Sequence, residues 1–259
     1  MRIVLAHGVL GFSAIGQIEY FNGVAAHLET LGVAVATAVV NPVGNVAERA
    51  AALAEFIVTE SRGERVHVFA HSMGGLDARH ALSQIAGVAA HVATLVTIGT
   101  PHLGSPVADA IESGNPAALQ HMPWPMLQIN QRALHDLTTA VATAADDAAH
   151  DVPGIVYAHV VGDVLHPHAR CSAAFRGVQA FFGVHEPNDG VVTVRSARTR
   201  RGQLREAIVW PSDHAAEVGW DLDVPQPARV FGVPNPLADT SHLTRYEDLV
   251  RRCRSGAWT

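Results

Sequence analysis

The 259-residue chain is poor in charge, in aromatic side chains and in cysteine. Only 16% of its residues are charged, and no long run of either sign occurs. The net charge of −6, from 24 acidic and 18 basic residues, offers no basic face to a polyanion, so no nucleic-acid partner is expected. The small basic clusters at 198–201 and 251–254 read as solvated edges. Nor does any stretch reach the ~18 consecutive apolar residues that a membrane-spanning helix needs. Two cysteines, Cys171 and Cys253, are too few for a disulfide framework; two free thiols or one bridge are both open. The first strand-like run begins at Arg2, leaving no room for a signal peptide's basic region, apolar core and cleavage site. The expectation is a cytoplasmic protein, or an exported one whose leader has been removed.

Against these absences stands a hydrophobic content of 48%, which with so little charge describes a folded globular chain. Aromatics contribute only 6%, so the core is expected to be built from small aliphatics. Short runs rich in Val and Ile alternate with segments of helical spacing, the pattern of a parallel sheet covered by helices on both faces. Expected strands are Arg2–Ala6, Val33–Val39, Val66–Ala70, Val92–Ile98, Ile155–Val161 and Ala207–Trp210. Helices are expected around Tyr20–Leu31, from Ala47 to Glu60 and from Leu76 to Ile85. The interval between Ile98 and Ile155 exceeds fifty residues, far above the ~2–6 of an ordinary connection. It carries Pro106, Pro116, Pro123 and Pro125, then an amphipathic stretch from Arg132 to Ala149. The chain is therefore expected to form one α/β domain with a helical cap or lid insertion at about 105–152; an extra packing helix on long connectors is the plainer alternative.

The most informative stretch is Ala70-His71-Ser72-Met73-Gly74. It follows an apolar strand and opens a helix, the setting that turns G-x-S-x-G into a nucleophile elbow. Ala70 stands in place of the first glycine and is still small. A serine hydroxyl needs a base to take its proton, and the base needs an orienting carboxylate. In this chain order the acid follows the serine and the histidine comes last. Of 16 histidines, His214 lies in the loop after the last strand, where it can reach over the sheet edge to Ser72. The acid is a contest between Asp163, at the end of the Val160-Val161-Gly162 run, and Asp189, in Asn188-Asp189-Gly190. Physics alone leaves both open. Asp213 is less suited, because adjacent side chains in an extended loop point apart. The oxyanion hole needs two converging N–H groups: Met73 supplies one, and Val9, in the His7-Gly8-Val9-Leu10-Gly11 loop, is the candidate for the other.

These motifs, together with Gly99-Thr100-Pro101-His102-Leu103-Gly104-Ser105 and Asp189-Gly190-Val191-Val192, resemble the ordered motif set of bacterial triacylglycerol lipases, those of Pseudomonas and Burkholderia in particular. The elbow itself is similar to that of small Bacillus lipases. The resemblance runs from Ile3 to about Val218. It implies the α/β-hydrolase fold, an ester or lipid substrate with transient contact at a lipid interface, Asp189 as the acid, and Val9 and Met73 as oxyanion donors. The family's calcium ligands would fall at Ala216 and Trp220, which cannot serve, so no metal or cofactor is expected. The crowding of Asp163, His166, His168 and Cys171 could hold zinc, but it matches no zinc-site spacing and reads as an exposed loop. The expected activity is serine carboxylic-ester hydrolysis through an acyl-enzyme. The alternatives are a short-chain or polyester esterase, an acyltransferase, and a non-catalytic binding protein that kept the fold.

Overall fold

A computed structural model describes residues 1–9, 19–114, 116, 130–183, 185–199, 207–223 and 240–258. Strands β1 (Arg2–Ala6), β2 (Ala34–Ala38), β3 (Val66–His71), β4 (Val92–Ile98), β5 (Val156–Gly162) and β6 (Ile208–Trp210) form a six-stranded sheet in the order β2-β1-β3-β4-β5-β6. Every neighbouring pair is parallel. The α-helices described are α1 (Val24–Thr30), α2 (Val46–Ser61), α3 (Met73–Gln84), α4 (Pro106–Glu112), α5 (Gln131–Asp136), α6 (Thr139–Ala148), α7 (Ala173–Arg176) and α8 (Ser241–Ser255), with short 3-10 turns at Val88–His91, Gly177–Phe181 and Ala216–Val218.

Alternation along the strands divides the core. Val4, Ala6, Val68 and Ala70 face one way and pack with Leu53, Ile57, Ala78 and Leu82 of α2 and α3. Ile3, Leu5 and Phe69 face the other way, against Val24 and Leu28 of α1 and Tyr246, Leu249 and Val250 of α8. Burying both faces is what a parallel sheet requires, and it explains why these strands read as continuous aliphatic runs. Leu53 is fully enclosed; truncating it to Ala would cost about 2–5 kcal/mol. The start of α2 is fixed by a capping box: the Asn45 side chain accepts from the Glu48 N–H, and Glu48 reaches back to the Asn45 N–H.

After β1 the chain steps outward to β2, then returns past β1 to β3 and continues outward through β6. That reversal places a crevice beyond the carboxyl ends of β1 and β3, the natural ligand position in an open α/β sheet. The elbow leaves β3 there, and the Gly8–Val9 loop leaves β1 beside it.

The structure corrects some details. The stretch expected as one amphipathic segment from Arg132 to Ala149 is two helices, α5 and α6. They are separated at Leu137-Thr138, where Thr138 serves as the N-cap of α6 and bonds back to the His135 carbonyl. The expected cap interval includes α4, α5 and α6, but residues 115 and 117–129, with Met122, Trp124, Met126, Leu127 and Ile129, lie outside the described residues. So do Leu10 and Gly11 of the first loop. Cys171 and Cys253 are free thiols, pushed up to about 11 and about 12 by burial. No helix among the described residues is long and apolar enough to cross a membrane.

Candidate active site

Ser72 sits between β3 and α3 with φ 56° and ψ −131°, a left-handed conformation strained for any residue with a Cβ. The surroundings hold it there. Its N–H donates to the Ile98 carbonyl, and its own carbonyl accepts from the Thr100 hydroxyl at 2.9 Å. At position 74 an added Cβ would lie 2.7 Å from the Ala6 carbonyl oxygen, so the glycine is what lets α3 dock against β1. Ser72 is largely buried, 7% exposed, and lines a slot together with Val9 and His214.

His214 Nε2 stands 3.1 Å from Ser72 Oγ, and His214 Nδ1 stands 2.7 Å from Asp189 Oδ2. Asp189 is fully buried. Its Oδ1 accepts from the N–H groups of Val191 and Val192 at 2.8 and 2.6 Å, and its backbone carbonyl accepts from the His214 N–H at 2.8 Å. The loop holding the acid thus also holds the loop carrying the histidine. Because Asp189 Oδ2 is an acceptor, it keeps the imidazole proton on Nδ1 and leaves Nε2 free to take one from Ser72.

Three comparisons with known proteins bear on this arrangement. A family described as "PGAP1-like alpha/beta domain" matches residues 47–181, more than half of the chain and including the elbow. The chain belongs to that family. Triacylglycerol lipase 2 of Saccharomyces cerevisiae is 30% identical over 230 residues, covering 79% of this chain and 63% of the yeast protein. Triacylglycerol lipase of Pseudomonas fragi is 30% identical over 113 residues, 42% of this chain and 37% of that protein. This chain therefore spans less than two thirds of the length of these curated relatives. Among solved structures, a metagenomic carboxyl esterase superposes with a TM-score of 0.75 at 20% identity, covering 99% of this chain and 76% of its own. The chain thus shares part of its sequence with proteins called triacylglycerol lipases and its fold with a carboxyl esterase.

Asp163, the competing acid, is elsewhere. Its Oδ1 accepts from the Leu165 N–H in an exposed turn. Asp213 faces away from the site, accepting from the N–H and hydroxyl of Ser172 at 2.7 Å each. Burial raises its carboxyl above the usual range, opposed by those bonds. Around the loop weighed for zinc, Asp163 caps its own turn and Cys171 Sγ is turned to the Ser172 carbonyl. Among the described residues, the histidine, cysteine and carboxylate trio with all ligand atoms within 4.8 Å of one another is His71, His214 and Glu217, around the imidazole itself. The two positions where the resemblance implies calcium ligands carry no side-chain carboxylate or amide oxygen. Ala216 offers no side-chain ligand, and the Trp220 indole N–H donates to the Tyr20 carbonyl.

Met73 is the first residue of α3, where an N–H has no intrahelical acceptor. Val9 lines the same slot as Ser72 and His214. The Gly8 turn makes that approach feasible, because a Cβ at position 8 would come within 2.6 Å of Ser72 Cβ. The slot has a volume of about 120 Å³, small against the ~300–1,000 Å³ of many ligand sites. Its walls are mostly apolar, from Val107, Ile111, Leu134, Leu137 and Val191 among others. A cleft of about 350 Å³ beside Cys171 and Asp213 is larger, with a lining that mixes polar and apolar groups, and neither Ser72 nor His214 lines it.

Sequence reasoning missed three buried polar residues: Tyr20, His71 and Glu217. Glu217 is fully buried within reach of the triad, Oε2 standing 3.5 Å from His214 Nδ1. Its position three residues beyond His214, in a turn, was the available signal.

Proposed function

We propose that this chain is a serine carboxylic-ester hydrolase acting on acyl esters or lipids. The observation that carries the reading is the continuous line from Ser72 Oγ through His214 to a buried Asp189, at 3.1 and 2.7 Å, opening onto an apolar slot. A binding scaffold has no need to hold a serine in a strained turn facing an imidazole.

In this reading Ser72 Oγ attacks the ester carbonyl while His214 Nε2 takes its proton. The carbonyl oxygen becomes negative, and the N–H groups of Met73 and Val9 stabilise it; one such donor is worth roughly 10²–10³ in turnover. Collapse of the tetrahedral intermediate breaks the bond to the alcohol, which leaves with the proton from His214. Water then attacks the acyl-Ser72 ester by the same route, and the acid is released. Asp189 keeps the tautomer correct and stabilises the imidazolium that forms at each step.

The slot supports an acyl chain as the group that is buried, at ~0.8 kcal/mol per CH₂. Its modest volume favours short to medium chains over long ones. The test is hydrolysis of p-nitrophenyl esters from acetate to palmitate by the native chain and by Ser72→Ala. The proposal expects cleavage by the native chain, with a maximum at short to medium length, and no cleavage by the variant. Undiminished hydrolysis in Ser72→Ala would eliminate it.

A further inference from the structure

Beside the triad lies a set of buried polar groups that the proposed chemistry leaves unused. The Gly8 N–H, in the loop that carries Val9, donates to Tyr20 Oη at 3.1 Å. Tyr20 Oη stands 2.7 Å from His71 Nδ1. His71 Nε2 stands 3.2 Å from the His214 carbonyl oxygen and 3.0 Å from Glu217 Oε2. Glu217 Oε1 in turn accepts from the Gly162 N–H. The His71 and His214 rings pack with centroids 4.6 Å apart.

The direction of each bond follows from what the groups can do. A carbonyl oxygen only accepts, so His71 carries its proton on Nε2. Burial holds the His71 imidazole well below its usual range, so it is neutral and has one N–H. Nδ1 must then accept, and the Tyr20 hydroxyl must donate to it. The hydroxyl oxygen is left to accept from Gly8. From the Gly8 N–H through Tyr20 and His71 to the His214 carbonyl, the bonds run one way.

Space has been made for this arrangement. A Cβ at position 99 would collide with Glu217 Oε2, and one at position 162 would lie 3.1 Å from Oε1. Burial, then the charge of Asp189, push the Glu217 carboxyl well above the ordinary carboxylate range. Both effects favour the neutral carboxyl, the form that adds no second negative charge beside Asp189.

We propose that Tyr20 and His71 form a positioning bridge, joining the oxyanion loop at Gly8 to the His214 loop and so fixing the oxyanion donor relative to the base. The inference rests on the hydrolase reading above. Neither side chain is assigned a bond to the reacting atoms; both act through the groups they hold. A small displacement of a preorganised donor is enough to slow the chemical step without weakening ground-state binding.

Tyr20→Phe removes one hydroxyl and keeps the ring. Active sites are counted by stoichiometric fluorophosphonate labelling of Ser72. Per labelled site, kcat is expected to fall about 10-fold with KM within about 2-fold. Affinity for an alkyl boronic acid, whose tetrahedral adduct on Ser72 mimics the charged intermediate, is expected to fall by the same factor. His71→Gln, which keeps a donor near the Nε2 position and loses the Nδ1 acceptor, is expected to do the same, and the double variant to be little worse than either. An unchanged kcat per labelled site in Tyr20→Phe, or losses that multiply in the double variant, would overturn the bridge. The ring ¹⁵N signals of His71 give a readout independent of turnover: a proton on Nε2 and an Nδ1 signal that moves in Tyr20→Phe support it, and a proton on Nδ1 refutes it. A native chain that neither turns over esters nor takes the probe, yet gives these ring signals, would count against the hydrolase reading alone.

Discussion

Asp189→Asn removes one charge and leaves the shape of the site almost unchanged. Asp189 Oδ1 accepts two backbone N–H groups, from Val191 and Val192. In the variant the asparagine carbonyl oxygen must remain there, because an amide NH₂ cannot accept from them. The NH₂ is then forced to the Oδ2 position, 2.7 Å from His214 Nδ1 in the native chain. Two donors cannot face each other, so the imidazole switches its proton to Nε2. Nε2 then presents an N–H to Ser72 and cannot serve as its base. In serine proteases with the same Ser-His-Asp arrangement, this substitution lowers kcat about 10⁴-fold, equivalent to about 5 kcal/mol of barrier. Here kcat is expected to fall about 10³–10⁴-fold, with KM within a few-fold and a native-like thermal transition. Steady-state hydrolysis of a p-nitrophenyl ester measures it, with Asp163→Asn as the parallel variant. Asp163 only caps an exposed turn, so its replacement should change kcat less than about 2-fold. An Asp189→Asn enzyme within about 10-fold of native, or a crippling effect of Asp163→Asn alone, would refute the reasoning.

Other expectations concern stability and specificity. Arg49 and Asp77 form a fully buried ion pair at 2.8 Å, and Arg49 also donates to the His7 carbonyl at 2.7 Å, anchoring the start of the oxyanion loop. Arg49→Ala leaves Asp77 buried without its partner and should lower unfolding free energy by about 3–5 kcal/mol in urea titrations. His159 is buried against Thr97, and burial pulls its imidazole down to about 3. The unfolded chain therefore binds a proton there between about pH 6.5 and 3 that the folded chain does not, so this residue makes stability fall as pH falls across that window. His159→Gln should flatten the slope of stability against pH there by up to about 1.4 kcal/mol per pH unit; an unchanged slope would contradict the assignment. Ile111 and Leu134 line both the acyl slot and the outer groove beside Glu112 and Arg132. Ile111→Ala should shift the preferred ester toward longer chains, read as kcat/KM across the p-nitrophenyl series, while an unmoved optimum would count against this wall.

Much of the fold was legible because its signals are local. The central strands are short aliphatic runs buried on both faces, and all six strands match expectation to within a residue or two at each end. Ser72 and His214 could be selected from chain order and from their positions after strands. The choice between Asp163 and Asp189 could not be made physically. It depends on which loop folds over β5 and β6, a long-range contact seen here in the bond from the His214 N–H to the Asp189 carbonyl. Tyr20 and His71 were hidden for a similar reason: 51 residues separate them, and only the close approach of the β1 and β3 ends joins them. The break between α5 and α6 was obscured by continuous alanine-rich amphipathicity, whereas Thr138 as an N-cap was the local signal for it.

The most direct test is mass spectrometry of the native chain after exposure to a fluorophosphonate. One adduct per chain, on Ser72 and at none of the other serines, is the predicted result, with Ser72→Ala and His214→Ala both unlabelled. An unmodified Ser72 in folded protein, or equal labelling once His214 is removed, would contradict the claim that this imidazole activates this hydroxyl.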